Sequence, residues 1–404
     1  MASVRHVIVA GAGIAGLTAA LALARTGLRT TVLEQAAKLE ETGAGIQLSP
    51  NATRVLIALG LRDRLAPSTM APEEIRAMAG GSGREIVRIP LGSAAERRYG
   101  APYWTIHRGD LQAALAAAAQ STQSIALKLG TRVENFAAHV NGITVQGRCG
   151  QRLVDECGVA LIGADGVWST LRAQMQGRRP PSFRHRTAWR ALVPAAAVPE
   201  EFCQPLVHLW LGSHAHLVHY PVKAGRLINI VGIVHDEWKE IGWSAAGNRS
   251  EILRHFARWS WAEQARALIA IPDHWLKWAL YDRKTPFRGG GGPVTLIGDA
   301  AHPMLPFLAQ GAGMAIEDAA VVADMLGKYL DNPADALRAY EGARHDRIAR
   351  AQQTSRRQGR IYGVSGPEAL VRNLAMRAMG GEKLLSRYDW LYTWKPPEPF
   401  QNAS

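Results

Sequence analysis

A strand–loop–helix junction near residue 300 carries the residues best suited to hold a polar ligand. Val294–Ile297 is apolar enough for a buried strand, Asp299 follows at its carboxyl end, and a glycine-rich helix start is predicted near Gly311–Ala315. An ionised aspartate accepts hydrogen bonds from hydroxyl groups, and the unpaired N–H groups of a helix start attract negative charge. A sugar-like hydroxyl and a delocalised anion held at one junction suggest a flavin. The alternative is an ordinary strand–helix connection with a capping aspartate.

Composition and charge narrow the class of protein. The 404 residues are 47% hydrophobic and 20% charged, which is typical of a globular chain with two or three domains. The net charge of +13 attracts anionic small molecules, but no nucleic-acid-binding motif accompanies it. Three cysteines without CxxC spacing predict neither a disulfide framework nor a metal site. Because the sequence shows no signal peptide and no apolar run near the ~20 residues that span a bilayer, we expect a cytoplasmic protein without membrane or nucleic-acid partners.

The N-terminal segment has the spacing of a dinucleotide-binding turn. An apolar strand at Val4–Ala10 leads into Gly11–Gly16 (GAGIAG) and then into an alanine-rich helix that stops at Gly27. A second strand, Leu28–Leu33, ends at Glu34, 18 residues after the last glycine of the motif. The glycines allow close approach to a pyrophosphate, and an acidic residue at about this distance binds ribose hydroxyls. The pattern predicts dinucleotide binding without separating NAD from FAD.

Two further segments place a charged side chain beside a predicted helix start. Tyr103–Ala119 is predicted to be a helix capped by Asp110, with Arg108 just before the cap. An arginine at that position either binds a phosphate or is a solvated residue. Val159–Ile162 is predicted to be a strand that runs into an acidic turn at Gly163–Arg172 (GADGVWSTLR), ahead of another helix.

The second half of the chain has a different pattern. Alternation at Val207–Leu211, Ala215–Tyr220 and Leu227–Val234 predicts an antiparallel sheet in a second domain. One amphipathic helix is expected over Ser250–Ile271, and another from Ala320 to about Tyr362. The arginines of the last helix are expected on a solvated face, with an interface or anion-attracting role as the alternative. They are Arg338, Arg344, Arg347, Arg350, Arg356, Arg357 and Arg360.

Three motifs stand in order along the chain: GAGIAG followed by Glu34, GADGVWSTLR at Gly163–Arg172, and GDAAHPMLPFLAQGAGMAIEDA at Gly298–Ala319. Together they resemble the single-component FAD-dependent aromatic hydroxylases, which include p-hydroxybenzoate and salicylate hydroxylases, over about residues 4–365. The resemblance implies an α/β fold in which a Rossmann-like FAD-binding domain is interrupted by a substrate domain with a mostly antiparallel sheet, followed by C-terminal helices. The implied limits are 1–72, 100–176 and 282–365 for the FAD-binding domain, 73–99 and 177–281 for the substrate domain, and 366–404 for the C-terminal helix and tail.

The resemblance also implies the cofactor and its contacts. FAD is the bound cofactor, and NADH or NADPH and O2 are co-substrates, with no separate nicotinamide-binding domain. Asp165 is the acidic residue of a motif that the family uses for both FAD and NAD(P)H, and Asp299 holds the ribityl chain. The implied FAD contacts are Gly11, Gly13, Ala15, Gly16, Glu34, Gln35, Gly45, Arg108, Asp165, Asp299, Pro306, Gly311, Ala312, Gly313 and Met314.

The substrate pocket is implied by one further segment. His216–Pro221 resembles the branch that acts on salicylate, 3-hydroxybenzoate and 6-hydroxynicotinate, in which a His and a Tyr four residues apart face the substrate hydroxyl. On a strand His216 and Tyr220 share one face; the alternative is two satisfied polar residues within a sheet. Gln47 stands where a 6-hydroxynicotinate enzyme places a His, and Pro306 where a 3-hydroxybenzoate enzyme places a Gln, so both pocket positions depart from those patterns.

The family chemistry implies roles for these side chains. A reduced flavin reacts with O2 to give a C4a-hydroperoxide that attacks an electron-rich ring. His216, with an ordinary pKa near 6.5, is expected to take the phenol proton, with Tyr220 as relay. His302 either approaches the substrate or caps its loop. We expect a small hydroxylated aromatic carboxylate as substrate, hydroxylated with loss of CO2 if the attacked carbon bears the carboxylate, and a monomer or homodimer.

Three alternatives stay open at this point. The first is a flavin enzyme of the same fold that acts on a larger ring. The second is an NAD-dependent dehydrogenase, and the third is a non-enzymatic module that binds anions.

Overall fold

The structure, a computed structural model, describes residues 5–39, 43–257, 261–284, 287–289, 291–329 and 331–401. Its described strands are numbered β1 to β19 in chain order: His6–Ala10, Arg29–Leu33, Gly45–Leu48, Thr69–Met70, Glu74–Ala79, Glu85–Pro90, Trp104–His107, Ile125–Lys128, Thr131–His139, Gly142–Cys149, Arg152–Gly158, Ala160–Gly163, Ser182–Pro194, Leu206–Gly212, Ala215–Val222, Leu227–His235, Ser244–Asn248, His274–Asp282 and Val294–Leu296. Its described α-helices are numbered α1 to α12: Ile14–Arg25, Pro50–Ala58, Arg62–Leu65, Gly92–Tyr99, Arg108–Gln120, Thr170–Gln176, Arg249–Ala257, Glu263–Ala270, Gly311–Lys328, Pro333–Tyr362, Gly366–Ser386 and Asp389–Tyr392. Among the described residues, every helix is too short or too polar to cross a bilayer.

A parallel sheet forms the centre of the predicted FAD-binding part. Its strand order is β19-β12-β1-β2-β8, and each neighbouring pair runs parallel. Val7, Ile8 and Val9 of β1 are completely buried, as expected for a continuous apolar strand covered on both faces. Helix α1 then returns along the sheet and ends before Gly27, whose φ of 82° lies in the left-handed region. The predicted strand–turn–helix–strand unit is confirmed.

The second and larger sheet has eight strands. Its order is β17-β18-β13-β16-β15-β14-β5-β6, antiparallel throughout except for the β14–β5 pair. One face packs against α7 and α8 through buried side chains such as Trp189, Trp210 and Leu217. Two small sheets, β11-β10-β9 and β3-β7-β4, complete the β-structure of the described ranges. The predicted α/β class with a mostly antiparallel second sheet is confirmed, while the domain limits remain a prediction.

Three local predictions are wrong in detail. Trp104–His107 is a strand, not helix, because it pairs with β3 and β4; α5 begins at Arg108, and Asp110 lies in its first turn, where it accepts from Lys223 Nζ at 2.8 Å. The single helix expected over 250–271 is two helices, α7 and α8, on either side of residues that lie outside the described ranges. The long helix expected after Ala320 is likewise two, α9 and α10.

The arginines of α10 are not all solvated. Arg344 is 2% exposed and pairs with the buried carboxylate of Glu317, which Arg347 also contacts. Arg356 pairs with Asp282, which is 1% exposed. The helix therefore presents part of its basic face to buried acids that sequence alone does not bring together.

Candidate active site

The glycine turn after β1 packs at two positions and is open at a third. Gly11 has φ of 107°, and a Cβ there would lie 2.5 Å from the Ala164 carbonyl oxygen. A Cβ on Gly16 would lie only 1.9 Å from the carbonyl oxygen of Gly11, so α1 can approach the turn only with glycine here. Around Gly13, at the N-cap of α1, no heavy atom lies within 4 Å of such a Cβ. That open backbone gives a phosphate direct access to the start of α1.

Glu34 is held at the same turn by main-chain donors. Its Oε2 accepts from the backbone N of Ala12 at 2.7 Å, and its Oε1 accepts from that of Ala36 at 2.8 Å. The carboxylate is thereby fixed at the carboxyl end of β2, next to the glycines. Gln35 follows it on the surface. Each Glu34 oxygen keeps a lone pair that can accept from a ribose hydroxyl.

Helix α9 begins at the same edge of the parallel sheet. Gly298, with φ of 58°, ends β19, and a Cβ on it would lie 3.1 Å from the Cβ atoms of both Ala15 and Ala315. The first turns of α1 and α9 therefore meet across one glycine. The first turn of α9 contains no acidic residue, so no carboxylate of the helix offsets the positive end of its dipole.

The residues at this junction leave polar groups free for a ligand. Asp299 is exposed, and within the described ranges its carboxylate has no hydrogen-bond or ion-pair partner. Gly311 begins α9 with open space where a side chain would project, and Ala312 is half-buried beside it. Gly313 and Met314 are buried, and a Cβ on Gly313 would press on Gln310 at 2.8 Å.

Asp165 and Arg108 border the junction from two other helix starts. Asp165 Oδ2 accepts from the backbone N of Thr170 at 2.8 Å and of Leu171 at 3.2 Å, which caps α6. Its buried Oδ1 has no partner in the described part of the chain. Arg108 is the first residue of α5, and its guanidinium side is exposed. Unpaired acceptors, an exposed cation and two glycine-rich helix starts match the hydroxyls and phosphates of FAD, so the residues fit this cofactor.

A buried ion network anchors the helix that borders this junction. Asp318 accepts from Arg344 Nε at 2.8 Å and from the backbone N of Gly298 at 3.0 Å, and it lies 2.5 Å from His302 Nε2. Burial opposes ionisation, but His302 and Arg344 together lower the pKa of Asp318 to about 2. The structure thus places His302 beneath α9, bonded to an acid, rather than on the wall that carries His216.

That wall is the second face of the eight-stranded sheet. The register aligns three rows across β15, β16 and β13: His216–Ile233–Ala188, Val218–Val231–Arg190 and Tyr220–Asn229–Leu192. We call these nine residues the pocket face. His219 projects to the opposite face, where its ring stacks on His208 with centroids 4.4 Å apart. The structure therefore brings His216 and Tyr220 to one surface and separates His219 from them.

The pocket face adjoins the loop that leads into α9. The ring centroid of His216 lies 5.4 Å from that of Phe307, in a 3-10 turn at Pro306–Leu308, and 5.2 Å from that of Tyr362. His216 and Tyr220 are 2% and 3% exposed. Pro306, at the start of the turn, is half-buried. His216 and Tyr220 are thus shielded from solvent, and His216 contacts the turn that leads into α9.

Burial changes the proton affinities on this wall. Burial first, and then the charge of Arg186, lower the pKa of His216 to about 3. The ordinary imidazole pKa of about 6.5 therefore does not apply to this ring, because the ring is buried. Burial also raises the pKa of Tyr220, against smaller effects of Arg190 and Gln47. In the protein without substrate His216 is therefore a neutral acceptor and Tyr220 a neutral hydroxyl.

Strand β3 closes the wall beside Tyr220. The backbone N of Gly45 donates to Asn229 Oδ1 at 2.7 Å, and a Cβ on Gly45 would lie 2.7 Å from the Tyr220 ring. Gln47, two residues on, accepts from the Tyr103 hydroxyl at 2.7 Å. Gly45 is thus buried against the pocket face, and Gln47 lies beside Tyr103 and Tyr220.

Sequence reasoning missed two sets of residues here. Asn51 Nδ2 donates to Glu317 Oε1 at 2.6 Å and to Gln310 Oε1 at 3.1 Å, which ties α2 to the start of α9. Arg190 lies on the pocket face, where its position follows from the alternation of β13 once the register is known. A charged residue within the otherwise apolar run 188–194 of this strand was the signal in the sequence.

Comparison with known proteins agrees with this architecture. A family model described as an FAD binding domain matches residues 5–355. The chain is 36% identical over 400 residues to 3-hydroxybenzoate 6-hydroxylase 1 of Aquipseudomonas alcaligenes, covering 98% of this chain and 99% of the relative. It is 38% identical over 389 residues to 3-amino-4-hydroxybenzoate 2-monooxygenase PtmB3 of Streptomyces platensis, covering 96% and 95%.

A solved structure extends the comparison to the fold. A salicylate hydroxylase substrate complex, 25% identical, superposes with a TM-score of 0.81 over 100% of this chain and 99% of that chain. The predicted family, cofactor and enzyme class are thereby confirmed. This chain belongs to the FAD-dependent aromatic hydroxylases, monooxygenases that bind FAD and consume NAD(P)H and O2.

Proposed function

We propose that this enzyme hydroxylates a small aromatic carboxylate that already bears a hydroxyl group, of the salicylate, hydroxybenzoate or hydroxynicotinate type. The observation that carries the proposal is the pocket face: His216 and Tyr220 project from the same side of β15, and the His216 ring contacts Phe307 in the turn at Pro306–Leu308, which leads into α9. Two aligned polar side chains beside the valine, isoleucine and alanine side chains of this face suit a ring with a phenolic hydroxyl.

The residues at the sheet edge would hold FAD in the order of its parts. Gly11–Gly16 and Glu34 face the ADP half, Asp299 the ribityl hydroxyls, and the start of α9 the isoalloxazine. Bound FAD supplies reducing equivalents from NAD(P)H and the activation of O2 for transfer of one oxygen atom to the ring. The protein limits access of water to this chemistry, since His216 and Tyr220 are almost fully buried.

His216 acts on the substrate hydroxyl. As a neutral imidazole it accepts the phenolic O–H, which increases the electron density of the ring. An anionic substrate close to His216 opposes the effect of burial and of Arg186, and so raises the pKa of the imidazole from its value of about 3 in the empty site. Tyr220 can donate to or accept from the same oxygen because its raised pKa keeps it protonated.

The docked ring decides the position of attack. If the carbon presented to the flavin carries the carboxylate, hydroxylation expels CO2; if it carries hydrogen, the carboxylate is kept. The two curated relatives described above differ in the ring position named for them. Since Gln47 and Pro306 depart from two known patterns, the proposal names the substrate class and not one member.

Location and assembly complete the proposal. Cys149 and Cys157 are exposed and unpaired, and Cys203 is also free, which fits a reducing cytoplasm. The enzyme acts there as a monomer or homodimer, which sedimentation velocity of the FAD-loaded protein distinguishes.

The test is NADH and NADPH oxidation by the FAD-loaded protein with salicylate, the hydroxybenzoates and the hydroxynicotinates, each product being identified by mass spectrometry. We expect at least one compound to stimulate oxidation and to give hydroxylated product in equal amount. His216→Gln should retain FAD and lose hydroxylation, whereas His219→Gln, on the opposite face of the same strand, should keep it. Stimulation that yields only hydrogen peroxide, or none by any compound, contradicts the proposed substrate class.

A further inference from the structure

We infer that Arg190 binds the carboxylate of the aromatic substrate, an inference that rests on the proposed function. Arg190 lies on β13, in the middle row of the pocket face, with its guanidinium over the Trp278 ring at 5.0 Å from the centroid. Trp278 is on β18, beside Ala188 in the register, so it flanks the same face. The cation therefore points to the surface that carries His216 and Tyr220.

Arg190 is a charged group without a counterion. Its Nε is buried and unpaired, and in the described part of the chain its side chain has no hydrogen bond and no ion pair. Burial lowers its pKa, with smaller effects of Tyr220 and Arg108. A partly buried cation without a counterion is unfavourable, and an anionic ligand would offset that cost.

Other arginines with little solvent exposure have hydrogen-bond partners within the protein, although the buried Nη1 of Arg186 is also unpaired. Arg344 pairs with Glu317 and Asp318, while Arg172 donates to the carbonyl oxygens of Ala300 and Ala301. Arg186, on the same strand as Arg190, donates to Gly359 O at 3.3 Å and lies over Phe307. Arg372 donates to two carbonyl oxygens in the same way. Arg190 differs from them because its side chain has neither a hydrogen bond nor an ion pair within the described ranges.

The register places Arg190 opposite the two hydroxyl-binding residues. Val218 lies between His216 and Tyr220 on β15, Val231 is its partner on β16, and Arg190 is the partner of Val231 on β13. Two strand spacings, about 9–10 Å, separate the Arg190 backbone from β15. We place one aromatic ring in that gap. A ring lying over Val218 and Val231 then presents its hydroxyl to β15 and its carboxylate to the guanidinium.

The chemistry of the two partners matches. A guanidinium forms two parallel N–H donations to a carboxylate, a geometry that a neutral amide cannot reproduce. The phosphates of FAD are a second source of anionic oxygen for Arg190. Arg108, an expected FAD contact, is near enough to lower the pKa of Arg190. The two sources make different predictions, since a phosphate contact would determine cofactor affinity and a carboxylate contact would determine ligand selectivity.

The experiment compares Arg190→Gln with the wild type for the binding of benzoate, salicylate, benzamide and salicylamide, followed by the absorbance change of bound FAD. We expect the variant to bind both carboxylates about 10–100-fold more weakly, to bind both amides within about threefold of wild type, and to retain FAD within about threefold. Arg190→Lys, which keeps the charge but not the fork, should fall between them and covers the case in which the glutamine variant does not fold. Arg76→Gln is the matched control, because Arg76 lies on the same sheet, is paired with Glu74, and aligns with His208 on the opposite face.

The outcomes separate this inference from the proposed function. An unchanged preference for carboxylates in Arg190→Gln overturns the inference alone. A tenfold loss of FAD affinity with that preference unchanged also overturns it and assigns Arg190 to the cofactor. Selective weakening of benzoate in the variant, with no compound hydroxylated by wild type, supports Arg190 and refutes the proposed reaction. A wild type that binds no carboxylate refutes both.

Discussion

Arg344→Met tests whether the buried ion network holds helix α9 in place. The arginine is 2% exposed, and the two carboxylates that it bonds, Glu317 and Asp318, are completely buried. Removing one partner of such a cluster typically costs 3–5 kcal/mol, because the remaining charge stays buried and unpaired. Here Glu317 keeps Arg347 and Asp318 keeps His302. We therefore expect the free energy of unfolding to fall by about 3 kcal/mol, the lower end of that range.

The assay is urea unfolding of the FAD-free protein, followed by circular dichroism, together with the dissociation constant for FAD. Arg338→Met serves as control: it lies on the same helix, its side chain is 56% exposed, and its ion pair with Asp335 is worth at most about 1 kcal/mol. Because α9 supplies the N-terminus expected beside the flavin, Arg344→Met should also weaken FAD binding, and the control should not. Equal unfolding free energies for the two variants would refute the reasoning that the network is structural.

Three further predictions concern the turn, the buried histidines and the flavin edge. Gly16→Ala should destabilise the FAD-free protein, since its Cβ would lie 1.9 Å from a backbone oxygen. Gly13→Ala, whose Cβ would have no atom within 4 Å, should leave stability unchanged and weaken FAD binding. Melting curves with and without FAD distinguish these outcomes. Burial, and then Arg76, lower the pKa of His208 to about 4. Burial, and then His208, lower the pKa of His219 well below its ordinary value, so both histidines stay neutral in the folded state. Below pH 6.5 the unfolded chain binds protons that the folded chain does not, so the free energy of unfolding should fall by up to about 1.4 kcal/mol per pH unit for each histidine. A His208→Gln, His219→Gln double variant should show a shallower fall between pH 7 and 5. An unchanged slope contradicts this. Asp299→Asn should keep the melting temperature of the FAD-free protein, because the exposed carboxylate has no partner within the described ranges, and should weaken FAD binding about tenfold or more; an FAD affinity equal to wild type contradicts the ribityl assignment.

Local patterns were enough for the strands and turns that carry the cofactor motif. The apolar run of β1 and the glycine that ends α1 are each specified by neighbouring residues, and each is where the sequence predicts it. Trp104–His107 was misassigned because the run of alanines after it is helical, while its own strand character comes from pairing with Gly45–Leu48. Partners distant in sequence therefore set the limit of the prediction.

The same limit applies to the candidate site. The positions of His216 and Tyr220 on one face follow from strand alternation, but the lowered pKa of His216 depends on burial by Phe307 and Tyr362, which come from other segments. Arg190 joins them only through the register of β13 with β16. Arg344 looked like one solvated arginine among seven because its acid partners lie on another helix.

The interleaved order of the strands has a consequence for synthesis of the chain on the ribosome. Strand β12 pairs with β19 at the edge of the parallel sheet, but roughly 130 residues, including most of the eight-stranded sheet, are translated between them. At about 5–20 residues per second, β12 waits on the order of ten seconds for its last neighbour. During that interval an apolar edge is exposed to other nascent chains and to chaperones. We therefore expect the yield of active enzyme in the cell to depend on translation speed and growth temperature, even where the stability of the finished protein is unchanged.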